Sequence, residues 1–318
     1  MVNIAFFGSS DFSLPILEKL HDLHKSNLIN LRFVVTIEKS RSKLDKNPIL
    51  RYCQNNQLNI YTSQQKSIIN ELLKELDFAL VASYGAIIKK SQLRKPKHGF
   101  LNIHGSFLPK YRGACPIQMA VINQDEFTGI NIIKMTPRLD DGDVMDLHYD
   151  VINILPSYTA GDLMEILAKN AADILDREFN VIFKPEKWKF YKQSNVNISY
   201  CYVSDMHKSK FEITRFDTVR IAHGKIMGAN PEPKAFVKLD ANNFINILRS
   251  NYSNANFSSV TEESFFIVDK KKKKIYLKLS DGYLEIIELQ IPGKKVLHSS
   301  DFINGSLLSI SSMMLLLQ

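Results

Sequence analysis

The fold is decided by the stretch VNIAFFGSSDFSLPILEKLHDLH, residues 2–24. Its first six residues form a short apolar run, which a Gly-Ser-Ser-Asp turn ends. From Phe12 to Leu23, apolar residues then recur at helical spacing. Strand, glycine turn and helix is the order in which an open parallel α/β sheet begins, so we predict an α/β domain at this end of the chain.

The same alternation continues to residue 182 and then stops. Buried strands are predicted at 31–37, 78–82, 100–104 and 129–135, and helices at 68–76, between 85 and 96, and at 160–182. After an irregular stretch, the pattern predicts one helix within 211–227 and short strands at 236–239, 265–268, 275–279 and 284–289.

This change of pattern predicts two domains, in agreement with a length of 318 residues. We expect a doubly wound, Rossmann-like α/β domain over residues 1–187 and a linker over 188–205. Several short strands within about 100 residues then favour a smaller, OB-like β-barrel over 206–318, a fold that suits a nucleic-acid binder.

Composition is that of a folded soluble protein, with 45% hydrophobic and 23% charged residues. No apolar stretch approaches the roughly 20 residues that a membrane helix needs. The cysteines, Cys53, Cys115 and Cys201, match neither a disulfide framework nor a zinc-ligand pattern, which fits a reducing compartment. Because the N-terminus also lacks the regions of a signal or transit peptide, we expect a cytoplasmic protein without a membrane contact.

The formal net charge of +8 is shared unevenly along the chain. Residues 206–318 hold 16 Lys and Arg against 11 Asp and Glu, including five consecutive lysines at 270–274. A basic half suggests a polyanionic partner, because Lys and Arg displace counterions from a phosphate backbone. Solubility and a coding bias toward Lys explain the charge equally well, and the lysine run could be a solvated hairpin.

The densest group of chemically capable residues is LNIHGSFLPKYRG, residues 101–113. Side chains alternate along a strand, so Asn102 and His104 point to the same face. An amide and an imidazole that emerge together can both donate hydrogen bonds to one oxygen, and open α/β sheets bind ligands at such strand ends. A buried histidine with a satisfied hydrogen bond, beside an ordinary loop, is the alternative.

A second cluster, LDDGD at residues 139–143, places three carboxylates around a glycine. They could orient a histidine, bind a cation or form a solvated turn. Nothing else in the sequence is typical of a metal site. The Gly-Ser-Ser turn at residues 8–10 lacks the three spaced glycines of the dinucleotide fingerprint, so we interpret it as a tight turn from sheet to helix.

These two clusters carry a resemblance to a known family. Residues 102–118, NIHGSFLPKYRGACPIQ, closely resemble the signature of methionyl-tRNA formyltransferases, and LDDGD follows at the family's separation of 36 residues from His104 to Asp140. Further similar segments extend the resemblance over essentially the whole chain, at residues 6–12, 82–85, 229–233 and 289–295. The two clusters are specific for folate-dependent formyl transfer and less specific for the acceptor.

The resemblance implies a catalytic trio of Asn102, His104 and Asp140. It implies that 10-formyltetrahydrofolate is the formyl donor and contacts four consecutive residues, Ser106, Phe107, Leu108 and Pro109. Initiator methionyl-tRNA is the implied acceptor, approached by the barrel and by the basic residues after the second strand, Lys39, Arg41, Lys43, Lys46 and Arg51. We expect no metal, and a monomer in a bacterial cytoplasm.

The implied chemistry is acyl transfer, in which an amine attacks the formyl carbon and negative charge develops on an oxygen. Preorganised donors around such an oxygen supply much of the catalysis, and we assign that role to Asn102 and protonated His104. Asp140 would hold the ring and favour its charged form, or accept the proton that the attacking amine loses. The sequence does not choose between these two roles.

Other acceptors are compatible with the same trio. Glycinamide ribonucleotide enzymes are similar only over the first domain, so the additional 113 residues argue against that acceptor. Formyltransferases that act on nucleotide-linked amino sugars are a closer alternative, because some carry a similar barrel; residues 112–118 and 139–143 favour the tRNA type. A binding protein that has lost catalysis is a third class, which the intact trio disfavours.

Two departures from the family pattern concern tRNA recognition. The basic loop within residues 36–51 is shorter than in the family and lacks its order of Pro, Arg and Gly. Glu232 stands where the second domain commonly has Trp, which bears on the packing of the barrel.

Overall fold

The structure, a computed structural model, describes residues 1–37, 47–240, 243–257, 265–305 and 314–317. The chain forms two compact units. The first comprises Met1–Pro116, Phe127–Asn153 and Met164–Cys201, and the second comprises Ile117–Glu126, Ile154–Leu163 and Tyr202–Gln318.

The strands of the first unit are β1 (Val2–Gly8), β2 (Ile29–Thr36), β3 (Ile60–Thr62), β4 (Phe78–Ala82), β5 (Phe100–His104), β6 (Arg112–Gly113), β7 (Phe127–Thr128), β8 (Asn131–Lys134), β9 (Val144–Met145), β10 (Ile152–Asn153), β11 (Phe190–Tyr191) and β12 (Tyr200–Cys201). Eight of them form one sheet in the order β11-β9-β8-β5-β4-β1-β2-β3. The part from β5 to β3 is parallel, and β8, β9 and β11 extend it antiparallel. Two small pairs, β10 with β7 and β12 with β6, complete the unit.

The helices of the described chain are α1 (Ser13–Lys25), α2 (Pro48–Asn55), α3 (Lys66–Leu72), α4 (Lys90–Leu93), α5 (Pro116–Ile122), α6 (Ala160–Arg177), α7 (Phe179–Ile182), α8 (Val219–Gly228) and α9 (Ser299–Gly305). Short 3-10 turns occur at Leu73–Glu75, Pro185–Lys187, Val203–Met206 and Lys208–Phe211. Among the described residues, none of these helices combines the length and the apolar character that a bilayer crossing requires.

The parallel strands form the core of the first unit. Residues 4–7 of β1 are at most 2% exposed, as expected for a strand that is covered on both faces. The turn after β1 is closed by side-chain hydrogen bonds: Ser13 Oγ donates to the Ala82 carbonyl at 2.7 Å, and Ser9 Oγ donates to the Tyr84 carbonyl at 2.8 Å. These bonds fix the carboxyl ends of β1 and β4 next to each other.

The second unit is built on an antiparallel sheet. Its strands are β13 (Ala235–Lys238), β14 (Phe244–Tyr252), β15 (Phe266–Asp269), β16 (Lys274–Leu279), β17 (Gly282–Gln290), β18 (Leu297–His298) and β19 (Met314–Leu317). They lie in the order β13-β14-β17-β16-β15-β19, and β18 pairs with β17. All these pairs are antiparallel except that of β15 with β19.

The predicted fold class is confirmed, since a parallel Rossmann-like sheet is followed by a unit with an antiparallel sheet. Several elements differ from the prediction, and two of them are long. The helix expected between residues 85 and 96 is only the single turn α4, because residues 85–87 are exposed and Ile87, at 92% exposure, has no core to pack against. The nine-residue strand β14 was missed by the sequence pattern.

Residues 188–201, which the sequence assigns to a linker, pack in the first unit. The Trp188 indole donates a hydrogen bond to the Ile182 carbonyl at 3.0 Å, and its ring centroid lies 5.1 Å from that of Phe78. β11 and β12 then pair with β9 and β6. The boundaries of the compact units therefore differ from the predicted domain boundaries at residues 187 and 205. Those predicted boundaries concern independently folding domains and stay a prediction.

The second unit contains a buried histidine that is expected to resist protonation. His223 in α8 is 2% exposed, its Nε2 lies 3.0 Å from the Pro156 carbonyl and its Nδ1 lies 2.9 Å from Ser250 Oγ. A carbonyl only accepts, so Nε2 carries the hydrogen and Nδ1 accepts from the serine hydroxyl. Burial lowers the pKa of His223 below its ordinary value of 6.5, and the bond to the Pro156 carbonyl opposes that shift.

The free energy of unfolding should therefore fall as the pH drops below about 6.5, because the unfolded chain binds a proton that folded His223 excludes. Urea unfolding at pH 7.5 and pH 5.5 measures this loss in the wild type and in His223→Gln. We expect the wild type to lose more free energy of unfolding than the variant over this interval, because only the wild type carries a histidine with a lowered pKa at position 223. Equal losses in both proteins would contradict the assignment.

Candidate active site

Three polar side chains from two distant parts of the sequence meet at the carboxyl end of β5. Asn102 Nδ2 donates to Asp140 Oδ1 at 3.2 Å, and Asp140 Oδ2 lies 3.6 Å from His104 Nδ1. The backbone N–H of Gly113 also donates to Asp140 Oδ2, at 2.9 Å. The structure thus brings the residues of the predicted trio together around one carboxylate.

The environment of His104 constrains its ring. The residue is 4% exposed, and its Nε2 lies 3.0 Å from the Tyr111 carbonyl. Because a carbonyl only accepts, Nε2 donates there. Nδ1 faces the carboxylate of Asp140, so the ring can donate from both nitrogens only in its protonated form. The histidine is buried, as the alternative interpretation expects, but it is buried against a carboxylate.

The loop that carries Asp140 has little conformational freedom. Asp140 itself has a φ of 44°, in the left-handed region. A Cβ at Gly142 would lie 1.7 Å from the carbonyl oxygen of Lys134, so only glycine fits there. The neighbouring carboxylate of Asp141 is directed elsewhere, to Thr136 and Arg138. The acidic cluster therefore contributes one carboxylate to the trio.

The segment that is expected to contact the folate comes shortly after β5 in the chain. Ser106 Oγ donates to the Lys110 carbonyl at 2.7 Å, and the N–H of Leu108 donates to Asn131 Oδ1 at 2.8 Å. Three side chains of this segment are partly exposed, those of Phe107, Leu108 and Pro109. The segment thus combines a fixed backbone with apolar side chains that a ring system can contact.

Gln193 forms four hydrogen bonds beside the trio. The sequence patterns did not single it out. Its Nε2 donates to the carbonyls of Asp140 and Gly142, both at 2.8 Å. Its Oε1 accepts from Arg112 Nε at 3.0 Å and Nη2 at 2.7 Å. Arg112 lies in the signature segment, but Gln193 lies in a stretch interpreted as a linker, where no local pattern marks it.

A cavity of about 830 Å³ lies at the carboxyl edge of the same sheet, and none of the trio lines it. Phe7 and Tyr84 contribute aromatic surface, Lys66 and Lys89 contribute charge, and burial raises the pKa of Tyr84 to about 12. Asn70 Oδ1, also in the lining residues, is buried and has no hydrogen-bond partner in the described structure. The cavity has the size of a small-molecule site.

The residues expected to contact tRNA are only partly described. Arg51 is exposed on α2, whereas Lys39, Arg41, Lys43 and Lys46 lie outside the described residues. Lysines 270–273 form an exposed turn between β15 and β16. Within the described ranges, no group of three or more His, Cys, Asp or Glu is arranged to hold a metal ion.

Comparisons with known proteins identify the class. The formyl transferase family profile matches residues 2–178, and the profile of the formyl transferase C-terminal domain matches residues 205–307. The chain therefore belongs to the formyltransferase family and is a formyl-transferring enzyme.

Within that family, the chain resembles methionyl-tRNA formyltransferases over nearly its whole length. It is 32% identical to the enzyme of Fusobacterium nucleatum, with 97% of this chain and 98% of the relative covered. It is 32% identical to that of Pelagibacter ubique, with 95% of both covered, and 29% identical to that of Clostridium novyi, with 98% and 100% covered.

Solved structures of sugar N-formyltransferases share the fold. WlaRD, a sugar 3N-formyl transferase, has a TM-score of 0.66 and 21% identity, and covers 93% of this chain and 99% of its own. The N-formyltransferase of Helicobacter canadensis has a TM-score of 0.66 and 20% identity, with 90% and 98% covered. At this level of identity the likeness concerns the fold alone.

β6 and β12 lie so close together at Gly113 that there is no room for a side chain at this position. Gly113 has a φ of 127°, and a Cβ would lie 1.9 Å from the Cys201 carbonyl oxygen. We expect Gly113→Ala to lower the free energy of unfolding by about 2–3 kcal/mol or more, measured by urea unfolding. Gly85→Ala is the control: its φ is 78° but its nearest neighbour, Ile37 Cδ1, is 3.6 Å away, so about 1 kcal/mol is expected. Equal losses would contradict the close approach of β6 and β12.

Proposed function

We propose that the chain transfers the formyl group of 10-formyltetrahydrofolate to the free amino group of methionyl-tRNA(fMet). The observation that carries the proposal is the carboxylate of Asp140, which binds Asn102 and faces His104 at the end of β5. Such a site offers hydrogen-bond donors for an oxyanion and an acceptor for a proton, which are the groups that formyl transfer to an amine needs.

In the proposed reaction, a C–N bond forms between the amine nitrogen and the formyl carbon, and the bond from that carbon to N10 of the folate breaks. Negative charge develops on the formyl oxygen in the tetrahedral intermediate. The Asn102 amide has two hydrogens, of which one is directed at Asp140, so the other can donate to that oxygen. Asn102 is therefore the direct donor in this account.

His104 requires a change of partner before it can donate to the substrate. Its Nε2 is bound to the Tyr111 carbonyl and its Nδ1 faces Asp140. We assign Nε2 to the formyl oxygen after the substrate displaces the Tyr111 carbonyl, while Asp140 keeps the ring in place. Contacts of this kind commonly rearrange when the substrate binds.

Asp140 has two tasks in this scheme. Its Oδ2 orients the His104 ring, and the same carboxylate can receive the proton that the amine loses and pass it to the departing N10 nitrogen. The bond from the Gly113 N–H and the amide of Asn102 satisfy the carboxylate while it is charged. The folate itself would contact Ser106 and the partly exposed side chains of Phe107, Leu108 and Pro109.

The methionyl-tRNA relatives, matched over 95% or more of the chain, support this acceptor. The basic second half, including exposed lysines 270–273, is the proposed contact for tRNA phosphates, together with Arg51 and with Lys39, Arg41, Lys43 and Lys46. We further propose that the enzyme acts as a monomer in the cytoplasm, where initiator tRNA is charged. A nucleotide-linked amino sugar is the alternative acceptor.

The test compares formyl transfer from 10-formyltetrahydrofolate to charged initiator tRNA and to a nucleotide-linked amino sugar, with a donor-only hydrolysis control. Wild type should formylate the tRNA and leave the sugar unmodified. His104→Ala should lower the transfer rate at least about 10²-fold, because a donor to the oxyanion is lost. Arg138→Ala, which changes an exposed side chain that contacts Asp141, is the control and should stay within a few fold of wild type.

Each outcome has a distinct meaning. Transfer to the sugar alone would keep the site and overturn the acceptor. Full activity of His104→Ala would overturn the assignment of the trio. No transfer to either acceptor by wild type would reject the proposed reaction.

A further inference from the structure

The side chain of Gln193 connects the two segments between which the trio is held. Its amide nitrogen donates to two carbonyls of the loop that carries Asp140, those of Asp140 and Gly142, at 2.8 Å each. Its amide oxygen accepts two hydrogen bonds from the guanidinium of Arg112. One side chain thus joins the loop that carries the carboxylate to the segment that supplies the Gly113 N–H.

The geometry requires an amide at position 193. The two loop carbonyls can only accept, so the group that faces them must donate; the guanidinium can only donate, so the group that faces it must accept. Among the side chains of this length, only Gln offers both a donor and an acceptor. Glu would keep the contact with Arg112 and turn a negative oxygen toward the carbonyls of Asp140 and Gly142.

Arg112 provides a rigid base for this connection. It is only 9% exposed. Its backbone pairs with β12, where its N–H donates to the Ser199 carbonyl at 2.8 Å. Its side chain is held by Gln193 and by Tyr200, whose hydroxyl lies 3.5 Å from Nη1. Since both ends of Arg112 are fixed, its bonds to Gln193 fix that amide too.

We infer that Gln193 is a positioning residue for the proposed formyl transfer. It fixes the position of the loop that carries Asp140, and so the distances from the Asp140 carboxylate to Asn102 and His104. The backbone of Asp140 is in the left-handed region, with a φ of 44°, a conformation that its neighbours must maintain. Without the two bonds from Gln193, the loop relaxes and the carboxylate leaves the trio. Gln193 acts through Asp140 and does not touch the substrate.

The decisive variant is Gln193→Glu, which keeps the shape and the Arg112 contact but replaces the two donated bonds with a negative oxygen that faces the carbonyls of Asp140 and Gly142. We expect kcat for formyl transfer to fall about 10–100-fold, since small displacements of catalytic groups have effects of that size. KM for both substrates should stay within about twofold, and the melting temperature within a few degrees, because the new carboxylate pairs with Arg112.

Two further variants complete the design. Gln290→Glu is the matched control, because Gln290 also bridges a cation and a carbonyl: its Oε1 accepts from Lys234 at 2.8 Å and its Nε2 donates to the Lys294 carbonyl at 2.7 Å. It lies in the second unit and should keep wild-type kcat. Gln193→Met removes both the donor and the acceptor of the amide, and should also lower kcat about 10–100-fold. It tests the inference without the added charge, and it replaces Gln193→Glu if that variant does not fold.

A second measurement is independent of turnover, since the inference rests on the proposed function. The ring ¹⁵N signals of His104, assigned with His104→Ala, should shift in Gln193→Glu, while those of His223 should not. Wild-type kcat in a folded Gln193→Glu or Gln193→Met would overturn the inference, and so would an unchanged His104 signal. An inactive wild type whose His104 signal shifts in Gln193→Glu would reject the proposed reaction and keep the positioning role.

Discussion

The carboxylate of Asp140 is the contact on which the rest of the site depends. Its two oxygens bind groups that are 38 and 27 residues away in sequence, the amide of Asn102 and the N–H of Gly113, and it also faces the ring of His104. The side chain of Asp140 is only 13% exposed, so a charge there needs these partners in place of water. Each partner is consequently held where the proposed reaction needs it.

The fold brings these groups together through one antiparallel extension of a parallel sheet. β5 ends at His104, and β8 returns beside it, with Asn131 opposite His104. β8 runs back to the amino end of β5, where Lys134 pairs with Leu101, and the loop after it returns to place Asp140 against Asn102 and His104. There, Gln193 accepts from Arg112 and donates to the Asp140 carbonyl. We infer that the geometry of the proposed trio depends in this way on a segment near residue 193, which is distant from the trio in sequence.

Sequence patterns predicted those parts of the molecule that depend on local periodicity. The buried strand at 78–82 and the strand at 100–104 were predicted at their observed bounds, and alternation placed Asn102 and His104 on one face. The choice of Asp140 as a site residue required the family resemblance, because nothing in the local sequence distinguishes it from Asp141. Gln193 and the two-residue strands β11 and β12 were missed, since such short elements show no period and the Gln193 contacts are made only by the folded chain.

The most direct test of the central claim compares Asp140→Asn with Asp141→Asn in single-turnover formyl transfer. The two carboxylates are adjacent, but only the first contacts Asn102 and faces His104; the second contacts Thr136 and Arg138. We expect Asp140→Asn to lower the rate about 10²–10³-fold or more and Asp141→Asn to stay within about tenfold of wild type. A near-normal rate for Asp140→Asn, or equal losses in the two variants, would contradict it.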